Sequence, residues 1–149
     1  MAKIINQKIN TWILHADGDN FFASCEVARF PHLRGKAVVV GEERGIASAM
    51  STEAKALGVT RGMPIYKIRK ELPQVTILPS HFDLYEHYSW KVASILRKHC
   101  DNVEVYSIDE CFAEIKIKEG NDPLTKIKEI QDELFTKIGL NISIGLGKT

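Results

Sequence analysis

The alternation of apolar and polar positions divides the chain into short elements. Residues 11–16, TWILHA, form an apolar run that ends in Asp17-Gly18-Asp19, the pattern of a buried strand followed by a turn. Asp19 or Asn20 then stands where a helix to about Arg29 would be capped, with Phe22, Cys25 and Glu26 at helical spacing and Pro31 stopping it. Residues 37–41, AVVVG, predict a strand, and residues 45–50 its hairpin partner. Ser51 caps a short helix, STEAKAL, with Gly58 just beyond its end. Pro64 opens another, with Ile65, Ile68 and Leu72 as its apolar stripe and Pro73 as its stop. Residues 75–78 are a short strand.

A long helix follows, over about residues 81–100. Tyr85, Tyr88, Val92, Ile95 and His99 succeed one another at three- and four-residue steps, so one face is buried. Residues 103–107 and 111–117 are two strand-like runs, with Ile108-Asp109-Glu110 at their junction. Pro123 opens a last helix with Leu124, Ile127, Ile130, Leu134 and Ile138 on one face, and residues 141–146 form a final strand. With the basic middle segment set aside, the order is β-α-β-β-α-β. That order predicts an α+β fold, the split βαβ (ferredoxin-like) arrangement with an antiparallel sheet and helices on one face. GLGKT follows directly on the last strand, where a turn should lead into a further element, so the chain reads as a piece of a longer protein.

Composition narrows the class. With 44% hydrophobic and 26% charged residues over 149 positions, the chain is an ordinary globular domain and not a disordered tail or a coiled coil. No apolar run approaches the ~20 residues that span a membrane, and the opening MAKIINQKIN lacks the apolar centre of a signal peptide, which predicts a cytoplasmic protein. Three cysteines without CxxC spacing predict neither a disulfide framework nor a zinc site, and Cys111 is expected in the core. The net charge of +1 hides a divided chain. Residues 53–74 carry five basic against two acidic side chains, a balance of +3, and residues 101–122 carry two basic against seven acidic, a balance of −5. The first segment suits phosphate and the second suits cations, although solvated faces of either sign are also common.

Candidate chemistry lies with Asp17, Asp109 and Glu110. The first and second core strands are expected side by side, which would bring these acids to one end of the sheet. Carboxylates within about 4 Å repel by on the order of 4 kcal/mol per pair at an effective dielectric of 20, so such a cluster needs cations or raised pKa values. Oxygen ligands with no His or Cys nearby select Mg²⁺ or Mn²⁺, and two such ions serve in-line phosphoryl or nucleotidyl transfer. A structural reading is equally available: Asp17 caps a turn and Asp109-Glu110 occupies a hairpin tip.

The run DGDNFFASCE, Asp17 to Glu26, resembles the first motif of the Y-family, or translesion, DNA polymerases, and YSIDE, Tyr106 to Glu110, is similar to another motif of that family. GKAVVV at 35–40 and EAKALGV at 53–59 match in order and spacing, so the resemblance covers about residues 11–149. The ASCE and EAKALGV runs look most like the bacterial polymerase V catalytic-subunit, ImpB-MucB-SamB branch. The resemblance implies a palm over residues 1–20 and 81–149, cut short at its C-terminal end, with small fingers over residues 21–80 inserted. It implies a DNA-directed DNA polymerase acting on damaged templates, a nucleotidyltransferase using two Mg²⁺ ions for which Mn²⁺ can substitute. Asp17, Asp109 and Glu110 would be the catalytic, metal-binding acids, with the Gly18 carbonyl as a further ligand. Backbone N–H groups of Asn20 and Phe21 would meet the triphosphate at a helix N-terminus. Phe22 would be the steric gate against a 2′-hydroxyl, and Lys55 the fingers cation.

Thr52 stands where Tyr is frequent and Ala49 where a hydroxyl residue is frequent, departures that weaken the phosphate contacts. Implied partners are primer-template DNA, a dNTP and a sliding clamp engaged through a C-terminal region beyond this sequence, with no membrane. The family continues after GLGKT with a lysine-bearing palm helix, a thumb and a little finger, so this stretch is expected to fold but not to extend a primer. A nucleotide cyclase would lack the YSIDE run and the fingers insert. A non-catalytic, polymerase-like accessory protein would have lost the acids, and all three are retained.

Overall fold

The computed structural model describes residues 8–148; Thr149 and residues 1–7, the first part of the expected palm, lie outside the described residues. Two sheets organise the chain. The larger holds β1 (Ile9–Gly18), β5 (Asp101–Ser107), β6 (Glu110–Lys118) and β7 (Ile142–Gly147) in the order β5-β6-β1-β7, every pair antiparallel. That is the split βαβ order inferred from the pattern. One detail is corrected. β1 lies beside β6, the third core strand, and not beside β5, the second, because the β5–β6 hairpin folds β6 inward and leaves β5 at the edge.

Alternation along β1 assigns the faces. Leu14 and Ala16 are buried against the helices, whereas His15 and Asp17 are half-buried on the opposite face. The covering helices are α4 (Phe82–His99) and α5 (Pro123–Ile138), which contribute Tyr85, Val92, Ala93, Leu96, Ile127, Ile130 and Leu134 to the core. Cys111 is buried there as expected. Leu124 is not on the buried face; it is 69% exposed. Each three-residue step falls about 60° short of a full turn, so two steps back from Ile130 rotate Leu124 by about 120° off the core.

The smaller sheet has β2 (Val38–Val40) at its centre, antiparallel to β3 (Ala49–Met50) and parallel to β4 (Thr76–Leu78). The expected hairpin partner over residues 45–50 is thus only two residues long. A tight turn at Glu42–Arg44 consumes the approach, and Ile46 bridges to Pro64 instead. All three valines of β2 are fully buried, and they divide two cores. Val40 joins the large one, and Val39 joins Ala47, Met50, Ala54, Ile65 and Ile68 in a small one. Ser51 binds these parts together. Its hydroxyl accepts from Val38 N–H at 2.9 Å and caps α2 (Thr52–Ala56) through Ala54 N–H at 3.3 Å. Helix α3 (Ile65–Glu71) buries Ile65 and Ile68. Helix α1 (Phe21–Arg29) leans on the large core through Phe21, Ala23 and Cys25, so it joins the two sheets. Among the described residues no helix is long and apolar enough to cross a membrane.

Candidate active site

Asp17 is the second-last residue of β1 and pairs in register with Glu110, the first of β6. The β5–β6 turn is two residues long, Ile108 and Asp109, and it is tied to β1 by Gly18 N–H donating to the Asp109 carbonyl at 2.9 Å. The three acids therefore share one end of the large sheet. Gly18 is required by a close approach: a Cβ there would lie 2.5 Å from the Phe21 ring.

The tight turn lets consecutive carboxylates face one way. The Ser107 hydroxyl lies 3.0 Å from Asp109 Oδ1 and 3.3 Å from Glu110 Oε2, within reach of donating to either. His15, two residues before Asp17 and thus on the same face of β1, places Nε2 3.4 Å from Glu110 Oε1, close enough for attraction but not aligned as a hydrogen bond. Its ring stacks on Phe112 at 4.6 Å. The expectation of a site without histidine is therefore corrected. Partial burial raises the Asp17 pKa above the ordinary carboxylate range, and the charges of Asp109 and Glu110 raise it further, while His15 works against them.

Carboxylate and carbonyl oxygens are hard donors that suit Mg²⁺ or Mn²⁺, so the donor set fits the implied metal. Their placement is looser than a formed site: among the described residues no three His, Cys, Asp or Glu side chains gather closely enough to hold one ion. Asp109 and Glu110 both turn to Ser107, and Glu110 also approaches His15.

A cavity of about 960 Å³ opens beside Asp17, Gly18 and Asp109. Asn20, Phe21 and Phe22 at the start of α1 form one wall; Ala49, Thr52 and Lys55 form another, so the cavity runs from anionic to cationic lining. Asn20 stands at the N-cap position, but in a left-handed conformation with φ 48°, and its side chain does not cap. Its amide instead reaches Thr52 Oγ1 at 3.5 Å. Asp19 does not cap either, because its carboxylate accepts from the Ser143 hydroxyl at 2.7 Å. Glu110 is absent from the cavity lining and sits toward the open sheet face.

Residue-by-residue reading missed four participants: His15, Ser107, Ser143 and Arg61. Arg61 lines the cavity on the side of Lys55. Its signal was the basic balance of residues 53–74. His15 and Ser143 carry no local signal, because their roles arise from strand register, whereas Ser107 stands only two residues before Asp109 at the same turn.

The impB/mucB/samB family matches residues 16–149. DNA polymerase IV 2 of Mycobacterium tuberculosis is 37% identical over 141 residues, covering 91% of this chain and 41% of that protein. DNA polymerase IV of Neisseria gonorrhoeae is 35% identical over 138 residues, covering 90% of this chain and 39% of that protein. Among solved structures, a Dbh ternary complex superposes with a TM-score of 0.81 at 31% identity, covering 93% of this chain and 42% of that one. DinB from Sulfolobus solfataricus superposes with a TM-score of 0.77 at 29% identity, covering 91% and 42%. The chain thus spans about two-fifths of the length of these relatives. A family match over nine-tenths of the sequence, with the same fold beneath it, means that the chain belongs to the impB/mucB/samB family of Y-family DNA polymerases.

Proposed function

We propose that this chain forms the palm and fingers of a DNA-directed DNA polymerase that synthesises across damaged template. The palm comprises residues 1–20 and 81–149 and the fingers residues 21–80, with α1 as the element joined to both. The observation that carries this reading is the polarity of the cavity. Asp17 and Asp109 line one side, Lys55 and Arg61 another, and the N-terminus of a nine-residue helix opens between them. A nucleoside triphosphate has the complementary polarity once its reacting phosphate is metal-bound.

Asp17, Asp109, Glu110 and the Gly18 carbonyl would hold two Mg²⁺ ions, or Mn²⁺ in their place. Such ions neutralise charge on the transferring phosphate and acidify the attacking hydroxyl. The chain's own groups do the rest. Backbone N–H groups at Asn20 and Phe21 offer donors and the positive end of the helix dipole to the triphosphate. Lys55 adds a point charge where an arginine would add a fork. Phe22 presents its ring to the sugar. Ser107 holds Asp109 and Glu110 toward the same side. Partners would be a dNTP and primer-template DNA; the grip on duplex and a sliding-clamp contact would lie in the part of the relatives' length that this chain does not match.

A Mn²⁺ titration tests the reading directly. Wild type should bind weakly, and Asp109→Ala on the order of tenfold more weakly. Equal binding by the two proteins would sink the proposed site.

A further inference from the structure

Glu26 is the only fully buried charged side chain among the described residues, and the proposed chemistry makes no use of it. It lies on α1 four residues after Phe22, hence on the same face. Opposite it, His81 stands at the N-cap of α4, four residues before Tyr85, and Tyr85 N–H donates to the His81 carbonyl at 3.1 Å. The two pairs meet as a ladder of two rungs. His81 Nδ1 donates to Glu26 Oε1 at 2.5 Å, with Oε2 at 3.1 Å. The Phe22 ring stacks on Tyr85 with centroids 4.4 Å apart and planes 13° apart. Phe82 closes the edge against both rings.

The ladder has a working side. Phe22 lines the large cavity while its other surface rests on Tyr85. Tyr85 is fully buried, and its hydroxyl has no hydrogen-bond partner, so packing and its backbone bond to His81 alone hold its ring in place. A wall that excludes one hydroxyl group discriminates only as well as it resists displacement. We propose that Glu26 and His81 are positioning residues that lock Phe22 against the nucleotide sugar, so that selection of deoxyribose over ribose depends on a hydrogen-bonded rung that never touches the nucleotide. The inference rests on the reading of the cavity as a deoxynucleotide site.

The test uses the 149-residue chain and measures affinity for a deoxyribonucleoside and a ribonucleoside triphosphate in Mn²⁺, by competition with a fluorescent analogue, with melting curves for each variant. Wild type should prefer the deoxy form, and Phe22→Ala should abolish the preference. His81→Ala should lower the preference by about fivefold or more while deoxynucleotide affinity stays nearly constant. His81→Asn, whose Nδ2 stands as many bonds from the backbone as the imidazole Nδ1 that meets Glu26, should retain the preference, and His81→Leu, which has no donor, should lose it; this pair decides the matter if His81→Ala does not fold. Equal weakening of both nucleotides, or an unchanged ratio in His81→Leu beside an altered one in Phe22→Ala, overturns the inference. A wild-type chain without preference between the sugars overturns the cavity reading beneath it.

Discussion

The acids of this protein occur in two contrasting settings. At the end of the large sheet, Asp17, Asp109 and Glu110 lie near one another, partly open to water, with one serine hydroxyl and one imidazole to share. In α1, Glu26 is sealed from water and has His81 at hydrogen-bonding distance. A carboxylate without solvent must be partnered, since an unpaired buried charge costs several kcal/mol. Partly solvated carboxylates can remain unpaired, and their mutual repulsion then becomes an affinity for whatever cation arrives. The first setting is poised for a ligand and the second is complete without one.

Removing each acid should separate the two settings most strongly. Glu26→Ala should destabilise the chain by about 3 kcal/mol, through the cavity it leaves and the lost hydrogen bond to His81, as read from the urea midpoint. A loss below half of that would show that water already serves Glu26. A smaller effect of opposite sign is expected one turn along the same ladder. The Tyr85 hydroxyl is buried and unpartnered, so Tyr85→Phe should leave stability unchanged or raise it by about 1 kcal/mol. A clear loss would reveal a water-mediated partner.

The smallest effect belongs to the solvated acids. Because the Asp17 carboxyl holds its proton more tightly in the folded chain than the ordinary value of 3.8 implies, it favours folding below pH 3.8, and that contribution is lost as pH rises through the raised value. At neutral pH and without metal, Asp17 therefore opposes folding. Asp17→Asn should raise the melting temperature of the metal-free protein by about 2 °C at pH 7, and the gain should vanish below pH 3.8. Added Mn²⁺ should stabilise wild type and not the variant. If Asp17→Asn is instead less stable at pH 7, the three acids are not in conflict and the contrast with Glu26 fails.

Much of this was legible along the chain. The apolar run 11–16 is a strand because a buried β segment needs continuous apolar or alternating side chains, and Asp17, where that run stops, is the second-last residue of β1. The stripe from Tyr85 to Ile95 is buried as its spacing requires. Leu124 departs from its apparent stripe because spacing by threes alone drifts around a helix. Arg61 could be suspected from local charge but could not be placed.

Local pattern by itself determined the number and kind of elements, the end of β1 at which Asp17 falls, and the tight turn beneath Asp109 and Glu110. These depend on side-chain period and turn chemistry within a few residues. Tertiary structure alone decided that β1 lies beside β6, that His15 attends Glu110, that Ser143 occupies Asp19, and that Glu26 meets His81 across 55 residues. Each of these is a contact between segments distant in sequence. Strand register and helix docking set such contacts, and both follow from the burial free energy of the whole core rather than from any one segment.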